Sequence, residues 1–555
     1  MAGVSVALAA LVFSLSCLGS GTGATVGGPD GDTIFLSVNV SRVLKVVSER
    51  FLSVAIDASL LAEEKFMYLL SSQKLRTLAK ALTPGFLRFG GTKQDFMVFS
   101  PHTRSNAALR PDDASLQSIV MHQSNLSAKG VCNALVLPNF LEERLKKEWA
   151  EQEVLLQKEE IQGHYSKVRF SEHAVDLLYS FANCSGFDLI FGLNALLRTK
   201  NNSWDSRNAE TLLNYCESQN YSMSWELGNE PNSFEKKADV RVDGYQLGQD
   251  FLHLRNILKN SKLYHTTGLY GPDVSQPKNH RKDLLQGFLE TAAKAIDACT
   301  WHHYYVNGRE ASMEDFLSPK VLDTLTTKIT KVLQTVTLAS PGKKVWLGET
   351  SSAYGGGATG LSDTFVAGFM WLDKLGLAAK LGIDVVVRQV LIGSGTYHMV
   401  DANLDPLPDY WLSILYKRLV GPEVLDADGL TNSGVPGRKL RVYLHCTNKK
   451  SPNVRKGAVT LFALNLSKKK MEIIMPSRLN RSSVEAFVLE AGKTTGSRPL
   501  TSRLVQLNGA VLKMVNDSTL PPLHGITLPP GQSLKLPGRA FAFYVLRDAS
   551  VPVCW

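Results

Sequence analysis

Two glutamates in this 555-residue chain stand where carboxylates could do chemistry, each closing a short apolar run. One run reads Trp225-Glu226-Leu227-Gly228-Asn229-Glu230-Pro231 and the other Trp346-Leu347-Gly348-Glu349-Thr350. If these are strands four and seven of one barrel, Glu230 and Glu349 face each other across its mouth. One carboxyl, with a raised pKa, would protonate a leaving oxygen while the other attacks an anomeric carbon. Asn229, beside the acid, could hydrogen-bond a sugar 2-hydroxyl. A lone strand glutamate is usually structural. The Asn-Glu-Pro setting of Glu230 and a second glutamate on the appropriate later strand make coincidence a poor explanation. Glu226, on the same strand face by parity, reads as a supporting residue. There is no Cys-x-x-Cys or other metal-ligand spacing, and His302-His303 lacks a partner pattern, so no metal or cofactor is expected.

The elements that must position this pair are legible as eight β-type runs: 51–57, 86–91, 188–195, 222–230, 269–274, 299–305, 344–352 and 385–393. Their hydrophobicity is continuous rather than alternating, as strands buried on both faces require. Helical patterns lie between them, such as Glu63–Lys80 and Asp363–Leu381. The fold class expected is α/β, a (β/α)8 TIM barrel with its chemistry at the strands' C-terminal ends. Between strands two and three lies an insertion, 107–165, holding nine acidic and six basic residues and a charged helix pattern over Asn139–Ile161. It reads as a lid, linker or removable segment. Beyond about Leu415, alternating runs at 440–445, 458–464, 484–489 and 540–546 indicate a C-terminal antiparallel β-sandwich, to which 34–40 could donate a strand. The expected divisions are a signal peptide over 1–24, the donated strand in 25–50 and the first βα units in 51–106. An excised linker over 107–165, the rest of the barrel over 166–415 and the sandwich over 416–555 follow.

Charge is unevenly shared. Residues 416–555 carry 21 Lys/Arg against 8 Asp/Glu, while the first 415 carry 40 against 43. A basic C-terminal quarter suits a polyanionic partner. An apolar stretch over Val4–Leu18 followed by small residues reads as a secretory signal, and no later run is long enough to cross a membrane. Eight Asn-x-Ser sequons begin at Asn39, Asn125, Asn183, Asn201, Asn220, Asn465, Asn480 and Asn516, as expected of a secreted glycoprotein. Secretion and the lack of any nucleic-acid motif argue against nucleic acid. Six cysteines remain beyond the signal, and only Cys446 and Cys554 lie in the C-terminal region, which makes them the best single pair.

Asn229-Glu230-Pro231 with Glu349 resembles the signature of retaining glycoside hydrolases of clan A. Longer stretches, Trp225–Phe234, Trp346–Ala358, Leu87–Lys93, Thr300–Tyr305 and Leu404–Trp411, are similar to the heparanase family, family 79. The resemblance implies an endo-β-glucuronidase cutting heparan sulfate with retention, Glu230 as acid/base and Glu349 as nucleophile. It implies substrate contacts at Asp57, Thr92, Asn229, Gln276, Lys278, Tyr304, Arg309, Tyr354, Gly355, Gly356, Gln389, Gly395 and Tyr397, with Lys167 and Arg169 in a thinner basic segment. It further implies disulfides Cys132–Cys184 and Cys446–Cys554, and glycans at Asn183, Asn201, Asn220 and Asn465. Partners on this reading are heparan sulfate proteoglycans and heparin, and an activating lysosomal cysteine protease that cuts near Arg104–Arg110 and after Tyr165. The product would be a heterodimer of small and large chains, in extracellular matrix and lysosome. The competing reading is a heparanase-like binder of heparan sulfate without activity.

Overall fold

A computed structural model describes residues 31–101, 137–276, 283–431, 437–493 and 499–555. Eight parallel strands close a barrel: Leu52–Asp57, Gly85–Gly90, Phe187–Leu193, Ser224–Leu227, Leu269–Val274, Ala298–His303, Lys344–Thr350 and Val385–Ile392. The eighth closes on the first through pairs such as Val386↔Leu52 and Arg388↔Val54. The first, fifth, sixth and eighth strands are buried at every position, so nothing in them alternates.

Three local readings change. The fourth strand stops at Leu227, because Gly228 turns the chain at φ 78° and Glu230 itself is left-handed at φ 52°. The segment read as one helix over Glu63–Lys80 is a 3-10 helix, Glu64–Ser71, followed by an α-helix, Gln73–Lys80. Ser72, extended at ψ 129°, breaks the two and caps the second by accepting from the Leu75 amide. The helix expected from Asp363 begins at Ala367.

Within the insertion, Asn139–Gln162 is a helix as expected, and Leu141, Leu145 and Trp149 on one face are fully buried. The Trp149 ring meets Phe66 edge-on at 5.2 Å, which pins the helix to the 3-10 segment. Gly163, left-handed at φ 70°, ends the helix and turns the chain back toward the barrel mouth.

The C-terminal strands form two packed leaves joined through Val420–Leu430. Gly31–Asn39 is inserted between Val420–Leu430, to which it is antiparallel, and Lys470–Ile474, to which it is parallel. That parallel pair is the exception to an antiparallel sandwich. Ile34, Leu36, Leu444, Leu461, Ile473 and Leu536 fill the space between the leaves. The outer face of the larger leaf packs on the barrel, with Phe541 stacked on Phe365 at 4.6 Å. A buried polar clamp accompanies it: Asp373 on the Ala367–Leu381 helix accepts from Arg441 Nε at 2.7 Å and Tyr443 Oη at 2.6 Å.

Cys446 and Cys554 form a disulfide. Cys184 is also disulfide-bonded, but its expected partner Cys132 lies outside the described residues. Cys216 and Cys299 are buried free thiols. No helix among the described residues is long and apolar enough to cross a membrane, and 1–24 lies outside them. Asn183, Asn201 and Asn220 are exposed. Asn465 is fully buried, and its Nδ2 donates to the carbonyls of Lys469 at 2.8 Å and Pro537 at 3.0 Å. That amide is engaged within the sandwich.

Candidate active site

A cleft of about 720 Å³ opens at the C-terminal ends of the barrel strands, with Glu230 and Glu349 both in its wall. Glu349 is positioned by the seventh strand and is almost buried, with its two oxygens already engaged. Arg88 Nη1 donates to Oε2 at 2.8 Å, and Tyr304 Oη donates to Oε1 at 2.7 Å. Arg88, fully buried on the second strand, also donates to Glu226 at 2.7 Å and to Asn229 Oδ1 at 2.9 Å. Burial would by itself lower its pKa. The carboxylates of Glu226, Asp273 and Glu349 overcome that and hold the guanidinium charged. Glu226 supports Arg88 from below the mouth through that hydrogen bond, while burial pushes its own pKa upward.

Glu230 stands among cations. Burial pushes its pKa upward, yet His302, Lys237 and Arg88 together bring it down to about 2. His302 Nδ1 lies 3.4 Å from Glu230 Oε1 and 3.8 Å from Glu349 Oε1, while its Nε2 contacts Asp273 Oδ1 at 3.0 Å. Burial disfavours the imidazolium, but those three carboxylates raise His302 to about 10. His302 and Glu230 thus shift in opposite directions because each faces the other's charge. Glu230, His302 and Glu349 each bring a ligand atom within 4.8 Å of the others, a spacing a cation could use. The donors already on Glu349, and the positive charge of Arg88, Lys237 and His302, fit a hydrogen-bonded carboxylate pair better than a metal.

The structure brings Asp57, Thr92, Gln276, Tyr304, Arg309, Tyr354, Gly355, Gly356, Gln389, Gly395 and Tyr397 into the cleft wall. Gln389 Nε2 donates to Asp57 Oδ2 at 2.6 Å, and burial raises the Asp57 pKa to about 6. Asn229 lies beneath the wall, tied to Arg88 and donating its amide to Asp95 Oδ2 at 2.8 Å. Lys167 and Arg169 are exposed and outside the lining, and Lys278 lies outside the described residues. Arg88, His302, Asp95, Asp273 and Lys237 had no assigned role from sequence. The Leu87–Lys93 stretch contained Arg88, but its partners are 138 and 261 residues away.

The same cleft holds the end of the inserted helix. Leu156, Gln157, Glu159, Glu160, Ile161, Gln162 and Tyr165 all line it. Lys93 Nζ donates to Glu159 at 2.6 Å, Tyr165 Oη to Glu160 at 2.7 Å, and Arg309 Nη2 to the Ile161 carbonyl at 3.4 Å.

Fold and site together define a glycoside hydrolase built on a (β/α)8 barrel. A sequence profile described as "Glycosyl hydrolase family 79, N-terminal domain" matches residues 143–376. The chain is 50% identical over 526 residues to a protein named "Heparanase" from Gallus gallus, covering 95% of this chain and 97% of that one. The chain belongs to this family, the heparanases of glycosyl hydrolase family 79. It is also 40% identical over 534 residues to "Inactive heparanase-2" from Homo sapiens, covering 94% and 89%. The solved structure of a 4-O-α-L-rhamnosyl-β-D-glucuronidase from Fusarium oxysporum shares the fold, with TM-score 0.59 at 16% identity over 92% of this chain and 100% of that one.

Proposed function

We propose that the protein cleaves the β-1,4 bond between glucuronic acid and glucosamine inside heparan sulfate chains, with retention. The observation that supports retention is that Glu230 and Glu349 face one cleft with an oxygen of each within 4.8 Å of the other, a gap that His302 Nδ1 already spans. Retaining enzymes hold their carboxyls about 5–5.5 Å apart, and inverting ones leave roughly 6.5–9.5 Å for a water. Arg88 and Tyr304 aim Glu349 at the anomeric carbon. A bound uronate adds negative charge and excludes water, both of which raise the Glu230 pKa. The proton then passes from His302 Nδ1 to Glu230 Oε1, which delivers it to the leaving oxygen. Once Glu349 is esterified its charge is gone, Glu230 returns to its low pKa, and it takes the proton from the attacking water. Asn229, next to Glu230 and anchored through Oδ1 by Arg88, is assigned the 2-hydroxyl. The Gly355 and Gly356 backbone and Tyr397 suit the uronate, and Arg309 a sulfate.

The chain as synthesised is latent on this reading, because the end of the inserted helix fills the cleft and takes Arg309 and Lys93 as partners. Excision of 107–165 by a lysosomal cysteine protease would open it. The small chain left behind keeps strands one and two, which pair with strands eight and three, so the two pieces stay together as a heterodimer. Secretion, lysosomal activation and remodelling of matrix and cell-surface proteoglycans follow from the same reading.

The test is the size of heparan sulfate on gel filtration at about pH 5, after treatment with the protease-processed protein or its Glu349→Gln variant. Shortening by the parent alone supports the proposal. Binding without shortening by either would favour the alternative, a non-catalytic binder like the inactive relative.

A further inference from the structure

Resting on the sulfated-polymer reading above, we infer that one corner of the sandwich is a second polyanion site, which grips the polymer away from the cut. Its centre is the turn Lys468-Lys469-Lys470, exposed throughout. Backbone contacts bring other cations to it: the Arg539 amide donates to the Ser467 carbonyl at 2.8 Å, and the Leu466 amide to the Lys439 carbonyl at 2.8 Å. Arg438 and Lys439 are exposed beside it.

Several basic side chains elsewhere in the sandwich are held by carboxylates, whereas the corner gathers its cations side by side. Lys449 meets Glu423 at 3.3 Å, Arg503 meets Asp363 at 3.2 Å, and Arg455 and Arg547 hold Asp548 and Glu485. Among the described residues, none of Arg438, Lys439, Lys468, Lys469 or Lys470 makes an ion pair. Arg539 adds a second observation, since its Nε and Nη1 are buried with no hydrogen-bond partner. Glu472, the carboxylate nearest along the strand, is engaged by Ser533.

The corner is also built rather than loose. Buried Asn465 ties the turn down through Lys469 and Pro537 and accepts from the Ser467 amide at 2.9 Å. Glu314, the carboxylate whose field reaches Arg539, is five residues from cleft-lining Arg309. At most about 18 Å of chain separates them. One exposed cation gains little from one sulfate, but several on the same polymer act together once the cleft has tethered it. The corner therefore matters for long chains and not for short ones.

The experiment compares processed parent, the triple variant Lys468→Ala/Lys469→Ala/Lys470→Ala, and a control Lys449→Ala/Arg455→Ala that removes paired cations. Each is read by the salt needed to elute it from immobilised heparin and by KM on long heparan sulfate against a short oligosaccharide. The triple variant is expected to elute at lower salt and to raise KM on the long polymer roughly tenfold, about twofold per lost contact, with short-substrate kinetics unchanged. Parent-like elution and KM, an equal loss in the control, or capture by anionic lipid vesicles but not heparin would each overturn the corner site. Cleavage of the short substrate by the parent is scored separately: its absence defeats the catalytic reading, while a heparin difference between parent and triple variant would still uphold the corner.

Discussion

The barrel mouth and the sandwich corner handle charge in opposite ways. At the mouth, four carboxylates, Arg88 and His302 are packed where water is nearly excluded, and every one has a charged or hydrogen-bonded partner. At the corner, cations gather without partners in full contact with water. Low dielectric makes each mouth interaction strong and moves pKa values by several units, because an unpaired charge there is costly. Solvent makes each corner interaction weak, long-ranged and sensitive to salt. Proton chemistry needs the first setting. Holding a flexible sulfated chain needs only the second.

The largest break in that comparison is at the nucleophile. Glu349→Gln should lower kcat by about 10⁴-fold or more while heparin affinity stays near the parent's, measured by turnover and column elution. Next is the buried cation. Arg88→Met leaves Glu226, Asp273 and Glu349 uncompensated and should destabilise the fold by about 3–5 kcal/mol in urea unfolding. In the sandwich, removing the disulfide with Cys446→Ser and Cys554→Ser, which opens a loop of 108 residues, should cost about 2–4 kcal/mol.

His302→Gln sharpens the contrast through pH. His302 is raised from 6.5 to about 10 in the fold, so its stabilising contribution is fully present below pH 6.5 and is lost as pH rises toward 10. The melting-temperature gap between parent and variant should be widest in acid and close across that window. A gap independent of pH would show that His302 carries no extra proton. The smallest effect belongs to an exposed pair: Lys449→Ala should change stability by no more than about 0.5 kcal/mol.

Strands one, five, six and eight were legible because two-sided burial leaves no alternation between inward and outward positions. The helix over Asn139–Gln162 was legible from its period, although nothing in that period says that its last turn enters the cleft. Asn465 shows the opposite limit. Its sequon is intact, but burial has spent its amide on three carbonyls.

By itself the sequence determined the barrel, the donated strand, the candidate glutamates and the basic C-terminal quarter, because period, run length and composition are local properties. Only the tertiary structure decided which charged groups face one another and which cations lack a partner among the described residues. A pKa or an ion pair depends on charges brought within a few ångströms, and for Arg88 those charges come from 138 and 261 residues away.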